Sequence, residues 1–136
     1  MASLWPQFGD DGVLVRTPMV LFREQADFLN AQFDGLITGK VEQKKAPMNE
    51  TVDVMFYIVA PTLSYRYKLF QASYGFIDIY PVSVFVDSDI AIEFDRNVDI
   101  IIKTSNEEEL KSTLTKIFNS KKCRRVLSGI RSNLVT

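Results

Sequence analysis

The sequence predicts an α+β fold, in which an antiparallel meander sheet of about five or six strands carries an N-terminal helix and one or two C-terminal helices packed on one face. Residues 52–86 concentrate β-branched and aromatic side chains, which suit a pleated, half-buried surface. Short turn signals separate these apolar runs, and strands joined by short turns pair antiparallel. Helical spacing occurs only before and after this region, so the helices are expected to share one face of the sheet.

The length and composition are those of an ordinary globular protein. We interpret residues 1–136 as a single domain, because 136 residues suffice for one core and 46% of them are apolar. No apolar run is long enough to span a membrane, and the N-terminus lacks the basic and apolar regions of a signal peptide. The single cysteine excludes an intrachain disulfide and fits a reducing compartment. A cytoplasmic protein without membrane association is therefore expected.

The N-terminal residues 1–12 are predicted to form an extended arm with a turn at residues 9–12. Trp5 and Phe8 are large apolar side chains that are costly to leave in water. The arm is expected to pack on the body of its own chain or on a second subunit. Trp5 and Phe8 are accordingly candidate interaction residues.

An amphipathic helix is predicted from Met19 to Phe33. Thr17 followed by Pro18 is typical of a helix start, because threonine caps the first turn and proline suits its first position. Apolar residues then recur at spacings of three and four, which is the period of one helical face. Gly35 lies where a left-handed residue commonly ends a helix.

The predicted strands occupy residues 36–44, 51–60, 63–71, 76–86 with an interruption at Pro81, 90–94 and 98–103. Residues 73–75 are interpreted as a turn. Both faces of the segment 51–60 are apolar, which indicates a central strand covered on two sides, or covered by helices on one side and by a partner on the other. Strict alternation in the segment 63–71 predicts one half-buried face with Tyr65, Tyr67 and Leu69 and an outer face with Arg66, Lys68 and Phe70.

Two helices are predicted at the C-terminal end. The first opens at residues 104–109, where Ser105 and Glu108 have the spacing of a capping box. Residues 119–122 are expected to interrupt the helical pattern. The second helix is predicted from about Cys123.

The absence of histidine limits the chemistry that this chain can perform. It excludes a Ser-His-Asp triad, a Cys-His pair and zinc bound by imidazole. No catalytic, cofactor-binding or metal-binding residue is assigned, and a non-enzymatic protein is favoured. Cys123 stands between Lys122 and Arg124 near a predicted helix N-terminus, which would lower its thiol pKa. Without a histidine base or a second cysteine, however, a structural cysteine is the favoured interpretation.

Two further groups of side chains were weighed as binding sites. Five acidic residues could in principle converge on a hard cation, namely Asp78, Asp87, Asp89, Glu93 and Asp95. Their spacing lacks the pattern of a calcium loop, so a solvated acidic turn is favoured. Asp78 is expected to point outward or to pair with Arg66. The segment 65–68 mixes tyrosines with cations, as single-strand nucleic-acid platforms do. The alternation places those tyrosines in the core, which leaves the cations on the outer face without aromatic partners.

Charge is distributed unevenly along the chain. The whole chain has a net charge of −1, but residues 110–136 carry seven cations and no acid, and the first 109 residues carry a net −8. Such asymmetry can mark an interaction surface. We therefore assign a basic patch of candidate interaction residues on the last helix, formed by Lys121, Lys122, Arg124, Arg125 and Arg131.

Three functions remain open from the sequence. The favoured one is a small non-enzymatic module that binds a protein partner or a second copy of itself. The first alternative is a nucleic-acid-binding protein that uses the basic C-terminal helix, although the net charge does not favour nucleic acid as the partner. The second alternative is a small-molecule binder or carboxylate-based enzyme with a pocket between sheet and helices, lined by Asp78, Tyr80 or Tyr57. No cofactor is expected.

Overall fold

The computed structural model describes residues 2–4, 15–44, 50–94 and 100–135, and its described strands form one antiparallel sheet in which spatial order follows chain order. The elements, in chain order, are α1 (Pro18–Gln32), β1 (Thr38–Lys44), β2 (Thr51–Ala60), β3 (Tyr65–Gly75), β4 (Val82–Phe85), α2 (Ser88–Ala91), β5 (Ile101–Thr104), α3 (Glu107–Phe118) and α4 (Lys121–Leu134). Short 3₁₀ turns occupy Pro61–Leu63 and Ile92–Phe94. The predicted α+β meander is thus confirmed. Trp5 and Phe8 lie outside the described residues.

Helix α1 begins as the sequence predicts. The Thr17 hydroxyl accepts a hydrogen bond from the amide of Val20 at 3.4 Å, and Pro18 occupies the first turn. The helix ends at Gln32, and Gly35 follows with a left-handed φ of 81° while its amide bonds the carbonyl of Asn30. These contacts satisfy backbone groups that a helix end would otherwise leave unpaired.

All three longer helices pack on the same face of the sheet. In β2 this face carries Val54, Phe56 and Ile58, which are almost completely buried. The ring of Phe22 in α1 meets Phe70 edge-on at 5.1 Å, and Phe118 at the end of α3 lies 5.8 Å from Phe56. Stacking of Phe56 on Phe70 at 5.2 Å completes a cluster of four rings that joins α1, β2, β3 and α3.

A β-bulge in β3 changes the predicted assignment of Phe70. Phe56 pairs with Phe70 and Tyr57 pairs with Lys68, so Leu69 is an extra residue on β3. Because a bulge interrupts the alternation of the strand, Leu69 and Phe70 are both buried. The placement of Phe70 on the outer face was therefore wrong, whereas Arg66 and Lys68 do lie there.

The chain between β3 and β5 differs from the prediction in three places. β3 continues to Gly75, so the turn predicted at residues 73–75 is wrong, and residues 76–80 form a loop and not a strand. A Cβ at Gly75 would collide with the carbonyl oxygen of Asp78, so the loop folds back closely on a residue without a side chain. Residues 90–94 are helical because Asp87 caps α2 by accepting from the amide of Ile90 at 3.1 Å.

The caps of the last two helices are also shifted from the predicted positions. Asn106, and not Ser105, caps α3 by accepting from the amide of Glu109 at 2.9 Å. Ser120 caps α4, so Lys121 and Lys122 belong to its first turn and not to the interruption. Asparagine and serine are equally good caps, so the sequence alone does not decide between Ser105 and Asn106 at the start of α3.

We expect Gly39→Ala to destabilise the fold by about 1–3 kcal/mol, because overpacking a core has this cost. A Cβ at Gly39 would lie 2.7 Å from the Cα of Ala26, where α1 crosses β1. Gly129 in α4 is the matched control, since a Cβ there would meet nothing within 4 Å. Gly129→Ala should therefore stabilise by about 0.5–1 kcal/mol through helix propensity. Urea denaturation measures both; equal effects would contradict the packing of α1 on β1.

Candidate functional site

The described helices leave the opposite face of the sheet uncovered. Its residues alternate with the core positions of all five strands, as the strand register shows. We define the open face as Lys40, Glu42, Lys44, Asp53, Met55, Tyr57, Val59, Arg66, Lys68, Gln71, Phe85, Ile101 and Lys103. Within the described part of the chain the helices cover one side of β2, and whether a partner covers the other side stays a prediction.

An apolar row crosses the middle of the open face. Met55, Phe85 and Ile101 stand in one cross-strand line, with Gln71 between the first two. Met55 and Phe85 are half-buried, and Ile101 is 40% exposed. Val59 adds a further half-buried apolar side chain on β2. These side chains give the open face a hydrophobic centre that the described helices do not cover.

Cations surround Tyr57, which lies two residues beyond Met55 on β2. Lys40 and Lys68 are its direct neighbours on the adjacent strands, and the guanidinium of Arg66 lies 3.9 Å from the centre of its ring. Arg66 also contacts Glu42 at 3.0 Å, and this hydrogen bond lowers the pKa of the Glu42 carboxyl. The expectation that Arg66 lacks an aromatic partner was therefore wrong, as was its pairing with Asp78.

The open face is positively charged although the whole chain is not. It carries five cations and two carboxylates, whereas the chain has a net charge of −1. Glu42 contacts two of the cations and offsets one positive charge, since it lies 3.0 Å from Arg66 and 3.5 Å from Lys40. Lys68 and Lys103 form no ion pair with any described residue. The excess positive charge is therefore available to an anionic partner.

The tyrosines of the segment 65–68 face the helices, as the alternation predicts. The Tyr67 hydroxyl donates to Asp87 at 2.8 Å, and burial together with this carboxylate raises its pKa. Tyr65 is 42% exposed, so its predicted place in the core was wrong, and Tyr67 is half-buried. It lines a groove with Leu63 and with Arg125 of α4. The two tyrosines and the two cations therefore do not form a common platform.

The basic patch is divided by the structure. Lys122 pairs with Asp89 at 3.5 Å, and the amide of Lys121 donates to the carboxylate of Glu93 at 3.0 Å. Arg124 bonds the carbonyl of Asn119 at 3.1 Å, while Arg125 faces the groove beside Tyr65. Arg131 is exposed in the last turn. Since Arg124 and Arg131 are seven residues apart, they share one flank of the helix.

The acidic residues between β4 and β5 have structural contacts and do not converge. Asp87 caps α2, Asp89 pairs with Lys122, and Glu93 accepts from the N-terminus of α4. Asp78 is exposed in the loop before β4, and Asp95 lies outside the described residues. Among the residues that the structure describes, no three histidine, cysteine, aspartate or glutamate side chains are grouped to hold a metal ion.

Cys123 is a buried thiol in the first turn of α4. Its side chain is 2% exposed, and its amide donates to the Ser120 hydroxyl at 3.1 Å. Burial raises the thiol pKa to about 11, which is opposite to the shift expected from the sequence. The cause is desolvation of the thiolate, and the two neighbouring cations have other partners, since Lys122 binds Asp89 and Arg124 binds a carbonyl.

We expect native Cys123 to be alkylated by iodoacetamide much more slowly at pH 8 than the same thiol in urea. The folded thiol is protonated below its raised pKa, so the native rate should increase as the pH rises toward 11, whereas the unfolded chain gains thiolate from about pH 8.5. Mass spectrometry gives the rate directly, because the chain has one cysteine. A native rate that saturates below pH 8 would contradict the buried placement.

Comparisons with protein-family models, with curated proteins and with solved structures found no match. No helix in the described ranges has the length and hydrophobicity needed to cross a membrane. The open face, the groove beside Tyr65 and the buried environment of Cys123 are accordingly characterised by their geometry and charge alone.

Proposed function

We propose that this chain is a non-enzymatic module that binds a protein partner through the open face. The observation that carries the proposal is the apolar row of Met55, Phe85 and Ile101, which lies on a positively charged surface that no described helix covers. An apolar centre within a charged rim is the usual anatomy of a protein interface. The partner is expected to present acidic side chains around an apolar segment.

The dimensions of the open face suit such a partner. Four strand spacings of about 4.8 Å give a width of roughly 20 Å. The sheet is roughly 30 Å long at β2, which has ten residues, and roughly 13 Å long at β4 and β5, which have four residues each. The resulting area of roughly 500 Å² corresponds to the lower end of protein interfaces. Lys68 and Lys103 lie on both sides of the apolar row and would accelerate association with an acidic surface.

A second copy fits the open face less well than an acidic partner. Two open faces brought together would each contribute an excess of positive charge, which opposes association. Single-stranded nucleic acid also fits less well, because stacking platforms need free aromatic faces and Arg66 already covers one face of Tyr57 at 3.9 Å. An acidic protein satisfies both the charge and the apolar row.

We expect the purified chain to sediment as a monomer at micromolar concentration in physiological salt. The reason is the like charge of two open faces, to which the unpaired Lys68 and Lys103 contribute. Analytical ultracentrifugation provides the mass. A dimer that Met55→Glu converts to monomer would contradict the proposed partner, because it would place a second copy on this surface.

We expect the double variant Lys68→Glu, Lys103→Glu to bind the partner at least about tenfold more weakly than the wild type, since it reverses two unpaired charges at the rim. The matched control is Arg125→Glu with Arg131→Glu, which makes the same charge change on α4. Crosslinking from lysate with quantitative mass spectrometry selects proteins captured by the wild type, and titration of the purified candidate measures its affinity.

Two results would contradict this proposal. One is a captured partner that the open-face variant retains and the α4 variant loses, because that would move the interface to the basic patch. The other is salt-dependent binding of a single-stranded oligonucleotide that the open-face variant abolishes, because it would identify the same face as a nucleic-acid surface.

A further inference from the structure

A cavity of about 300 Å³ lies on the helix side of the sheet, between α1 and the corner where α3 meets α4. Its floor is formed by Phe56 and Ile58 of β2 and Leu69 of β3, which are almost completely buried. Leu29 of α1 and Leu127 of α4 form opposite walls. The cavity is separate from the open face, which is on the other side of the same strands.

The cavity is open to solvent at its mouth and apolar at its floor. Its volume of about 300 Å³ falls at the lower end of the range of ligand pockets, which are lined mainly by apolar side chains with a few polar groups. Phe28 stands at its mouth with 68% of its surface exposed. An exposed phenylalanine beside an apolar cavity gives a bound aliphatic molecule further surface to contact.

The polar groups at the mouth determine the charge of the expected ligand. Gln25, Gln32 and Asn119 line the rim, and none of the described lining residues is acidic. Arg124 donates its Nε–H to the carbonyl of Asn119 at 3.1 Å, which places the guanidinium beside the rim with further N–H groups to donate. Arg131 lies on the same flank of α4 one heptad later. An anionic group at this mouth would be matched by cations and amides.

We propose that this cavity binds a small amphipathic carboxylate with an aliphatic body of about ten carbons, the body against Leu29 and Leu127 and the carboxylate beside Arg124. A volume of about 300 Å³ accommodates a body of this size, and the guanidinium of Arg124 beside Asn119 marks the end at which the charge would lie. The alternative function predicted a pocket lined by Asp78, Tyr80 or Tyr57. None of these three residues lines this cavity, and Tyr57 belongs to the opposite face.

Decanoate, below its micellar concentration, is the probe, with decanol as its uncharged counterpart. In two-dimensional NMR spectra of the full chain, decanoate should shift the amide signals around Leu29, Cys123 and Leu127 in a saturable manner. It should also slow the alkylation of Cys123 at pH 9 by at least about fivefold, because the thiol lines the cavity and is the only one in the chain.

Two pairs of variants test the two ends of the ligand. Leu127→Trp fills the cavity and should abolish the effects of both probes, whereas Leu63→Trp adds the same ring in the groove beside Tyr65 and should leave them unchanged. Arg124→Gln should weaken decanoate binding by about three- to tenfold and leave decanol unaffected. Arg125→Gln removes the neighbouring cation from the other groove and should affect neither probe.

If neither probe produces saturable shifts in the wild-type chain, the proposal is overturned, whatever the variants do. Equal binding of decanoate and decanol that Arg124→Gln does not change would overturn the assignment of a carboxylate. Shifts that cluster on Met55, Phe85 and Ile101 would place the probe on the open face and would likewise contradict the cavity site.

Discussion

The structure depends on a cluster of four phenylalanines, in which Phe56 and Phe70 stack at 5.2 Å and receive Phe22 from α1 and Phe118 from α3. Aromatic side chains bury more apolar area than any others, so the face of the sheet that carries them attracts the helices. The bulge at Leu69 strengthens this bias, because it turns two successive large side chains of β3 inward. The arrangement of helices on one face follows from it.

The one-sided core determines where binding surfaces can form. Because the described helices all pack on one face, the other face keeps its cations and its apolar row of Met55, Phe85 and Ile101 in contact with solvent. On the helix side, α1 and α4 contact the sheet on either side of a gap, and that gap is the cavity above Phe56 and Ile58. The two proposed sites therefore share strands β2 and β3 but lie on opposite faces.

The fold class could be predicted from periodicity and turn signals, and the start of α1 from Thr17 and Pro18. The bulge could not, because Leu69 and Phe70 read as ordinary alternation until the register with β2 is known. The arrangement of side chains on the open face could not be predicted for the same reason, since Tyr57 and Arg66 are nine residues apart and meet only across paired strands. The raised pKa of Cys123 was missed because sequence neighbours reveal charge but not burial.

The central claim is that the isolated chain covers one face of its sheet and leaves the other open, and hydroxyl-radical footprinting tests it most directly. Met55, Tyr57 and Phe85 are expected to be oxidised readily in the free chain, whereas Phe22, Phe56 and Phe70 are expected to be protected because they lie in the core. Protection of Met55, Tyr57 and Phe85 to the same degree as the core phenylalanines, in a chain shown to be monomeric, would contradict the account.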